Sequence, residues 1–513
     1  MIAKMAAEDI KIWTEESLRK ARRRAKVREN VSRFRERQKQ LKIHQNQQQQ
    51  PQEQEQEQYK QDQAVSKRPQ PSSDLVEESI VRSRHTQLLA SDSTISAQLN
   101  SGQYYATFLQ KFLESYLPVS ALQAVSSGLS AARHEQLCEA WIIQSYHAAS
   151  IHPESSVGKA LLTNSYLIIG TIHNEEGLIS TGLHYYQKLL LETYQRLQLL
   201  AFDPKGRPDL DDLQTCLWLA FVELSVNHSF ANFCKHTNGL EAIFEVAGPQ
   251  CLADQRFRTA FLEFRVVQLS NACLQRRPPF FAADEWVCFP GKEQCKEATG
   301  PFHSLGDIGC QIPGFLQETY DGSTVSDERS LKLLNKLQKV RRGLHGWFQH
   351  LLTRNHEAEI IVHKPGDSKS LFEYTVQFPS FSMALTLLWY SAFRIYCTQA
   401  IAHLCLRLKG YVAKTYFKGE LAGALTELTA TCRFVCRSMD WMLESEQRLV
   451  AKMAAHFPLT AAIKGLGVLQ CEHAQDMRQD LQRCGVLLTR FEGAGITWPR
   501  GEVREYASLL LGS

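Results

Sequence analysis

Residues 104–118, YYATFLQKFLESYLP, decide the fold class of this chain. The aromatic residues recur at intervals of four positions: Tyr104, Phe108, Phe112 and Tyr116. Leu109 and Leu113 lie beside them, so the apolar side chains share one face of a helix. The pattern stops at Pro118, since proline lacks the backbone donor that a helix interior needs. The stretch therefore predicts an amphipathic helix at the start of a packed domain.

The same helical period continues almost to the end of the chain. It predicts further helices at His134–Ala149, Gly158–Ile172, Ser180–Leu200, Leu210–Phe221, Leu240–Val246, Phe257–Leu274, Ser330–Leu352, Met383–Leu406, Leu421–Leu443 and Ala451–Ile463. Pro278–Thr324 is rich in glycine, proline and polar residues, and we predict an irregular excursion there. Alternation typical of a strand is confined to a weak stretch at Tyr374–Val376. The predicted fold class is all-α, with a large irregular helical domain over residues 101–513.

The bulk composition fits a globular protein with a large core. The chain has 513 residues, 44% of them hydrophobic and 22% charged. No apolar run is long enough to span a bilayer, so we expect no membrane partner. The N-terminus lacks the apolar stretch of a secretion signal, and we therefore expect the 14 cysteines to be free. They form no CxxC pair, which predicts buried apolar cysteines, no structural zinc and no cofactor.

Positive charge is concentrated in residues 19–42, RKARRRAKVRENVSRFRERQKQLK. This segment holds twelve basic and two acidic residues, a net charge of +10, while the whole chain carries +4 and the remainder therefore −6. Such segregation indicates an acidic partner or a nuclear import receptor, and DNA is the commonest such polyanion. The residues predicted for DNA binding or nuclear localisation are Arg19, Lys20, Arg22, Arg23, Arg24, Lys26, Arg28, Arg33, Arg35 and Arg37.

Two segments precede the helical domain. Thr14 followed by Glu15 and Glu16 favours a helix start, and no glycine or proline interrupts residues 15–42, so we predict a basic helix over 1–44. The apolar residues of this helix keep a heptad spacing for only about two heptads, which is too few for a leucine zipper. The spacing is nevertheless compatible with a homodimer. Residues 45–63 contain 11 glutamines, and with the Ser- and Pro-rich stretch beyond them they predict a largely disordered linker over 45–100.

Motifs of known enzyme classes are missing from the sequence. Asp209-Leu210-Asp211-Asp212 lacks the third carboxylate of the magnesium site that terpene cyclases use, and it directly follows Pro208, where aspartates cap a helix. There is no phosphate-binding glycine loop, no GxSxG and no HExxH. We therefore expect no catalytic residues and no enzymatic activity.

Four short motifs occur in order along the helical domain. They are HTNGLEAIFEVAGP at 236–249, RRPPFFAADEWVCFP at 276–290, CRSMD at 436–440 and FPL at 457–459. Gly239 is predicted to open a short helix that Gly248 and Pro249 end, and Arg276-Arg277 to end another before Pro278-Pro279. We assign structural roles to ten residues of these motifs, which are called the family-motif residues below. They are His236, Gly239, Gly248, Pro249, Arg276, Arg277, Pro278, Trp286, Phe457 and Pro458.

Together these motifs resemble the fungal-specific transcription-factor regulatory domain over about residues 100–510. The resemblance implies a helical regulatory and dimerisation domain, often placed after a zinc cluster that reads DNA. The first cysteine here is Cys138, so that cluster is missing. In its place the basic segment, with Arg24, Val27-Arg28 and Val31, is similar to the Arg-rich stretch of family members without zinc.

The resemblance leaves three roles open: a regulator with an unconventional DNA-binding arm, a co-regulator recruited by another factor, or a diverged copy without a DNA reader. We predict a nuclear transcriptional regulator whose partners are DNA and other transcription factors or co-regulators. The alternatives are a helical co-regulator or scaffold without its own DNA binding and an α-helical enzyme.

Overall fold

The computed structural model describes residues 102–126, 140–202, 209–226, 230–289, 292, 300–321, 326–354, 361–363, 371–408, 414–470 and 474–493. All of them belong to the second of two units into which the chain divides, Ile95–Ser513. This described part is 88% helical with almost no strand, which confirms the predicted all-α fold class. The predicted basic helix at 1–44 and the linker at 45–100 lie outside the described residues.

The helices and strands follow one another in this order: α1 (Gly102–Tyr116), α2 (Val119–Ser126), α3 (Ala140–Ile151), α4 (Ser156–His173), α5 (Glu176–Phe202), α6 (Leu210–Ser225), α7 (Phe230–Ala247), α8 (Gln255–Gln275), α9 (Asp284–Val287), α10 (Gly300–Gly309), α11 (Ile312–Tyr320), α12 (Asp327–Arg354), β1 (Ile361–His363), β2 (Thr375–Gln377), α13 (Phe381–Arg407), α14 (Lys414–Leu443), α15 (Arg448–Ala454), α16 (His456–Gln470) and α17 (Ala474–Gly493). No helix within the described ranges is long and apolar enough to cross a membrane.

The first group of helices, α1 to α7, is organised around α4. Helix α4 packs against α1, α3, α5 and α6, and nearly all its residues from Val157 to Gly170 are buried. A helix that is apolar on every side belongs in the middle of a bundle. Its ends are defined locally, because the Ser155 hydroxyl accepts from the Gly158 N–H and Asn174 takes a left-handed conformation with φ 55°.

The predicted helix cap before α6 is confirmed. The Asp209 carboxylate accepts from the backbone N–H of Asp212 at 2.8 Å, and the Asp212 carboxylate accepts from the backbone N–H of Asp209 at 3.2 Å. This reciprocal pair is a capping box, which satisfies two backbone donors that the helix itself leaves unpaired. Arg196 of α5 pairs with Asp212 at 2.8 Å, so the acidic pair also connects two helices. The aspartates are therefore accounted for by folding.

The second group is organised around α13, which packs against α10, α11, α12, α14 and α16. The Ser380 hydroxyl caps α13 by accepting from the Met383 N–H at 3.2 Å. Helices α13, α14 and α16 approach one another closely at Gly465. A methyl carbon at that position would lie 2.5 Å from Cys432 Sγ and 3.3 Å from Ile395 Cγ2. Only glycine leaves room for this approach.

Several predicted elements are wrong in extent. Pro278–Thr324, predicted as irregular, contains the helices α10 and α11. Helix α7 begins at Phe230, so Gly239 lies inside a helix that it was predicted to open. The predicted helix Ala451–Ile463 is two helices that separate at Ala455. The weak strand at Tyr374–Val376 is present as β2, and it pairs with β1 in an antiparallel ladder that joins Val362 to Val376.

Candidate functional site

The most apolar concave feature of the described residues is a cavity of about 180 Å³ that is partly open to solvent. It lies where the two groups of helices meet, with α8 between them. Residues of nine helices line it: Tyr116, Trp141, Ile142, Leu217, Ala220, Phe221, Phe233, Glu263, Val266, Val267, Ser270, Leu274, Phe302, Phe381, Leu385, Trp389, Val450, Met453, Ala454, His456 and Phe457. Helix α8 provides five of them, more than any other helix.

Aromatic rings form two parts of the cavity wall. Trp389 of α13 lies 4.6 Å from the Phe457 ring of α16 and 5.5 Å from the Phe302 ring of α10, between ring centroids. On the side of the first helical group, Tyr116 and Phe221 meet edge to face at 5.1 Å. These separations are typical of favourable aromatic pairs, so each wall is held by its own ring contacts.

The cavity has few polar groups. Besides the hydroxyl of Tyr116 and the indole N–H groups of Trp141 and Trp389, three lining residues are polar, Glu263, Ser270 and His456. None of the lining residues is a lysine or arginine. The Ser270 hydroxyl is used locally, because it donates to the Val267 carbonyl at 2.7 Å. Burial lowers the pKa of His456 to about 4, and the positive charge of Lys464 acts in the same direction, so this imidazole is neutral at physiological pH. The lining therefore offers apolar surface and no positive charge.

An empty space of this size is costly for a folded protein. About 180 Å³ that side chains do not fill leaves the lining residues without the dispersion contacts that close packing would supply. The cavity therefore differs from the small packing gaps of ordinary protein interiors, which rarely exceed a water molecule.

A second concave surface lies between α12, α13 and α14, and it is charged. Arg394 donates to the Glu427 carboxylate at 2.5 and 2.9 Å. Arg341 pairs with Glu420 at 2.6 Å and with Glu427 at 3.8 Å. Because these four side chains neutralise one another across three helices, the groove is explained by the packing of those helices.

The predicted basic residues, from Arg19 to Arg37, lie outside the described residues. Among the family-motif residues, His236 of α7 lies in a polar cluster with Tyr186 and Glu223. The Tyr186 hydroxyl donates to Glu223 and lies 3.4 Å from His236 Nε2. Burial lowers the pKa of His236, although the Glu223 carboxylate at 4.0 Å opposes this effect. The cluster links α5, α6 and α7. Gly239 lies exposed, and a Cβ atom added there would meet nothing within 4 Å.

The motif around Arg276 ends α8 as predicted. Arg276 takes a left-handed conformation with φ 54° at the helix end, and its guanidinium lies 4.1 Å above the Tyr320 ring. Arg277 lies 3.6 Å from the Glu241 carboxylate of α7. After Pro278 the chain turns back, and the buried Trp286 ring stacks on Phe261 of α8 at 5.4 Å. These residues fix the position of α8.

The remaining motif residues lie at helix ends. Gly248 ends α7 with φ 71°, and Pro249 begins a short 3-10 helix, as predicted. Pro458 is buried in the first turn of α16, a position where proline costs no hydrogen bond. Phe457 beside it lies in the cavity wall. It is the one family-motif residue that lines the cavity.

Cysteines of the described ranges are free, and most are buried, as the sequence predicts. The Cys436 and Cys484 sulfur atoms lie 3.4 Å apart between α14 and α17. Burial keeps the pKa of Cys432 above its ordinary value, and the hydrogen bond with Cys436 does the same for Cys484, so both groups stay thiols. Within the described ranges no group of three or more His, Cys, Asp or Glu side chains is placed to hold a metal ion.

Comparison with known proteins gives no match to a family model, to a curated protein or to a solved structure. The resemblance to the fungal regulatory domain therefore depends on the short motifs alone, and membership of that family stays a prediction. Sequence reasoning missed the cavity, because its lining residues come from nine helices and share no local pattern.

Proposed function

We propose that this chain is a nuclear transcriptional regulator whose basic segment contacts DNA and whose helical body is the regulatory domain. The observation that carries this proposal is the segregation of charge, with +10 in residues 19–42 against −6 in the rest of the chain. A segment of this charge density binds phosphates electrostatically and without sequence preference. The same Arg and Lys run is typical of nuclear import signals.

The helical body supports a regulatory role through its architecture. It is all-α, and its partly open cavity is largely apolar, which suits the binding of another molecule. A second candidate function is a co-regulator that another factor brings to DNA. It is favoured by the absence of cysteine from residues 1–137, which therefore hold no zinc cluster. In that case the basic segment acts only in import.

The two candidates differ in the salt dependence of DNA binding by the full chain. We would titrate random duplex DNA at several salt concentrations between about 50 and 200 mM. Six to ten phosphate contacts predict a loss of about 10³–10⁵ in affinity over that range. A variant with Arg22, Arg23, Arg24 and Lys26 replaced by alanine should lose about 3 to 4 units of the slope of log affinity against log salt.

The matched control removes the same number of positive charges from exposed sites of the body. Lys111, Lys188, Arg256 and Lys332 are all largely exposed, and their replacement by alanine should leave the salt slope unchanged. Equal effects of the two variants would show that net charge alone matters. Full-length binding that is weak at every salt concentration, with a fusion protein that still enters the nucleus, would favour the co-regulator.

A further inference from the structure

The partly open cavity of about 180 Å³ has properties that specify a class of ligand. We infer that it binds a small neutral molecule, about the size of one six-membered ring with a short substituent. The inference concerns the helical body and does not depend on whether the basic segment contacts DNA.

Size is the first argument. An apolar cavity of about 150 Å³ in a protein core stays dry and accepts benzene. A cavity of about 180 Å³ therefore accommodates a ring with one further carbon or two. Drug-sized ligands occupy pockets of about 300–1,000 Å³, so they are too large for this site without rearrangement.

Charge is the second argument. An anion that entered the cavity would lose its hydration and find no arginine or lysine among the lining residues. His456 would not compensate, since burial keeps this imidazole neutral. A cation would have only the Glu263 carboxylate to pair with, and Glu263 already has an interaction within the protein. A neutral ligand therefore loses the least hydration free energy when it enters the cavity.

The composition of the walls is the third argument. The Trp389, Phe457 and Phe302 rings present an aromatic surface on one side. Helix α8 contributes aliphatic residues to the lining, including Val266 and Val267. A flat ring gains dispersion contacts from both surfaces and can meet the aromatic rings edge to face.

The walls formed by α8 and α15 are the expected route of access. Val450, Met453 and Ala454 of α15 are partly exposed, and so are Val266, Val267 and Ser270 of α8. By contrast, Leu217 and Trp389 on other walls are buried. Arg448, the first residue of α15, has a φ of 56°, a conformation that costs energy for any residue with a side chain. A ligand is therefore expected to enter between α8 and α15, where the lining residues are partly exposed.

Toluene, benzylamine and benzoate test the inference, because they share one ring and differ in charge. We would titrate each into the full chain by calorimetry and by ligand-observed NMR. Toluene should bind with a dissociation constant on the order of 1 mM, and benzylamine and benzoate at least about tenfold more weakly. Tighter binding of either ion, or no binding of toluene, would overturn the inference.

A variant that fills the cavity assigns the binding to this site. Ala454→Phe adds a ring at the cavity wall and should abolish toluene binding, while Ala242→Phe on the exposed face of α7 should leave it unchanged. If circular dichroism shows that Ala454→Phe does not fold, Ala220→Leu fills the space from another wall. Toluene binding that survives in a folded cavity-filling variant would place the site elsewhere and refute the assignment.

Discussion

Replacement of Gly465 by alanine tests how closely α16 packs against α13 and α14. The new methyl carbon would lie 2.5 Å from Cys432 Sγ, where non-bonded atoms normally stay about 3.5–4.0 Å apart. Relief therefore needs about 1 Å of movement between buried helices, and overpacking of this kind costs about 3 kcal/mol. The higher helix propensity of alanine offsets about 1 kcal/mol. We expect the free energy of unfolding to fall by about 2 kcal/mol.

Urea unfolding of the full chain, followed by far-UV circular dichroism, measures this change. The control is Gly485→Ala in α17, where a methyl carbon would meet nothing within 4 Å. Its free energy of unfolding should rise by up to about 1 kcal/mol. Cys432→Ala removes the clashing sulfur, so the double variant with Gly465→Ala should be more stable than Gly465→Ala alone. The close contact would be refuted if the free-energy losses of Gly465→Ala and Cys432→Ala simply added in the double variant. It would also be refuted if Gly465→Ala were as stable as the original chain.

Two further predictions concern buried charge. Arg265 is buried and donates to Asp307 at 2.5 Å and to the His303 carbonyl at 2.7 Å, so Arg265→Met should lower the free energy of unfolding by about 3 kcal/mol. Lys292→Met removes the second partner of Asp307 and should lower the free energy of unfolding by only about 1 kcal/mol. Equal losses for the two variants in urea unfolding would contradict this ranking. Burial lowers the pKa of His303 to about 3 and that of His456 to about 4, so the unfolded state protonates first as the pH falls below 6.5. The free energy of unfolding should therefore decrease between about pH 7 and pH 5, by up to about 1.4 kcal/mol per pH unit for each histidine, and urea midpoints that do not change over this range would contradict it.

Most helices of the described part follow from the sequence, because a period near 3.6 survives wherever one helix face is buried. The clearest failure is Pro278–Thr324. There Pro301 and Pro313 fall in the first turns of α10 and α11, where proline favours a helix start. From composition alone, the same prolines indicate the end of a helix, so the sequence predicted neither α10 nor α11.

Gly239 shows a related limit. Glycine in a helix interior costs about 1 kcal/mol relative to alanine, which made it a plausible helix boundary. In the structure α7 continues through Gly239, because buried residues on both sides hold the helix against α8: Cys234 hydrogen-bonds Asn271, and the Phe244 ring meets the Phe261 ring. Tertiary packing outweighed the low helix propensity of glycine. The sequence alone does not show those distant contacts, so it could not predict this outcome.

The short motifs and the cavity are related through α8. Arg276 ends this helix, Arg277 ties it to Glu241 of α7, and Trp286 folds back on its Phe261 side chain. Helix α8 in turn contributes more of the cavity wall than any other helix. Apart from Phe457, the motif residues do not line the cavity, yet they fix the position of the helix that shapes it. A sequence pattern that looked purely structural therefore positions the helix that contributes most to the cavity wall.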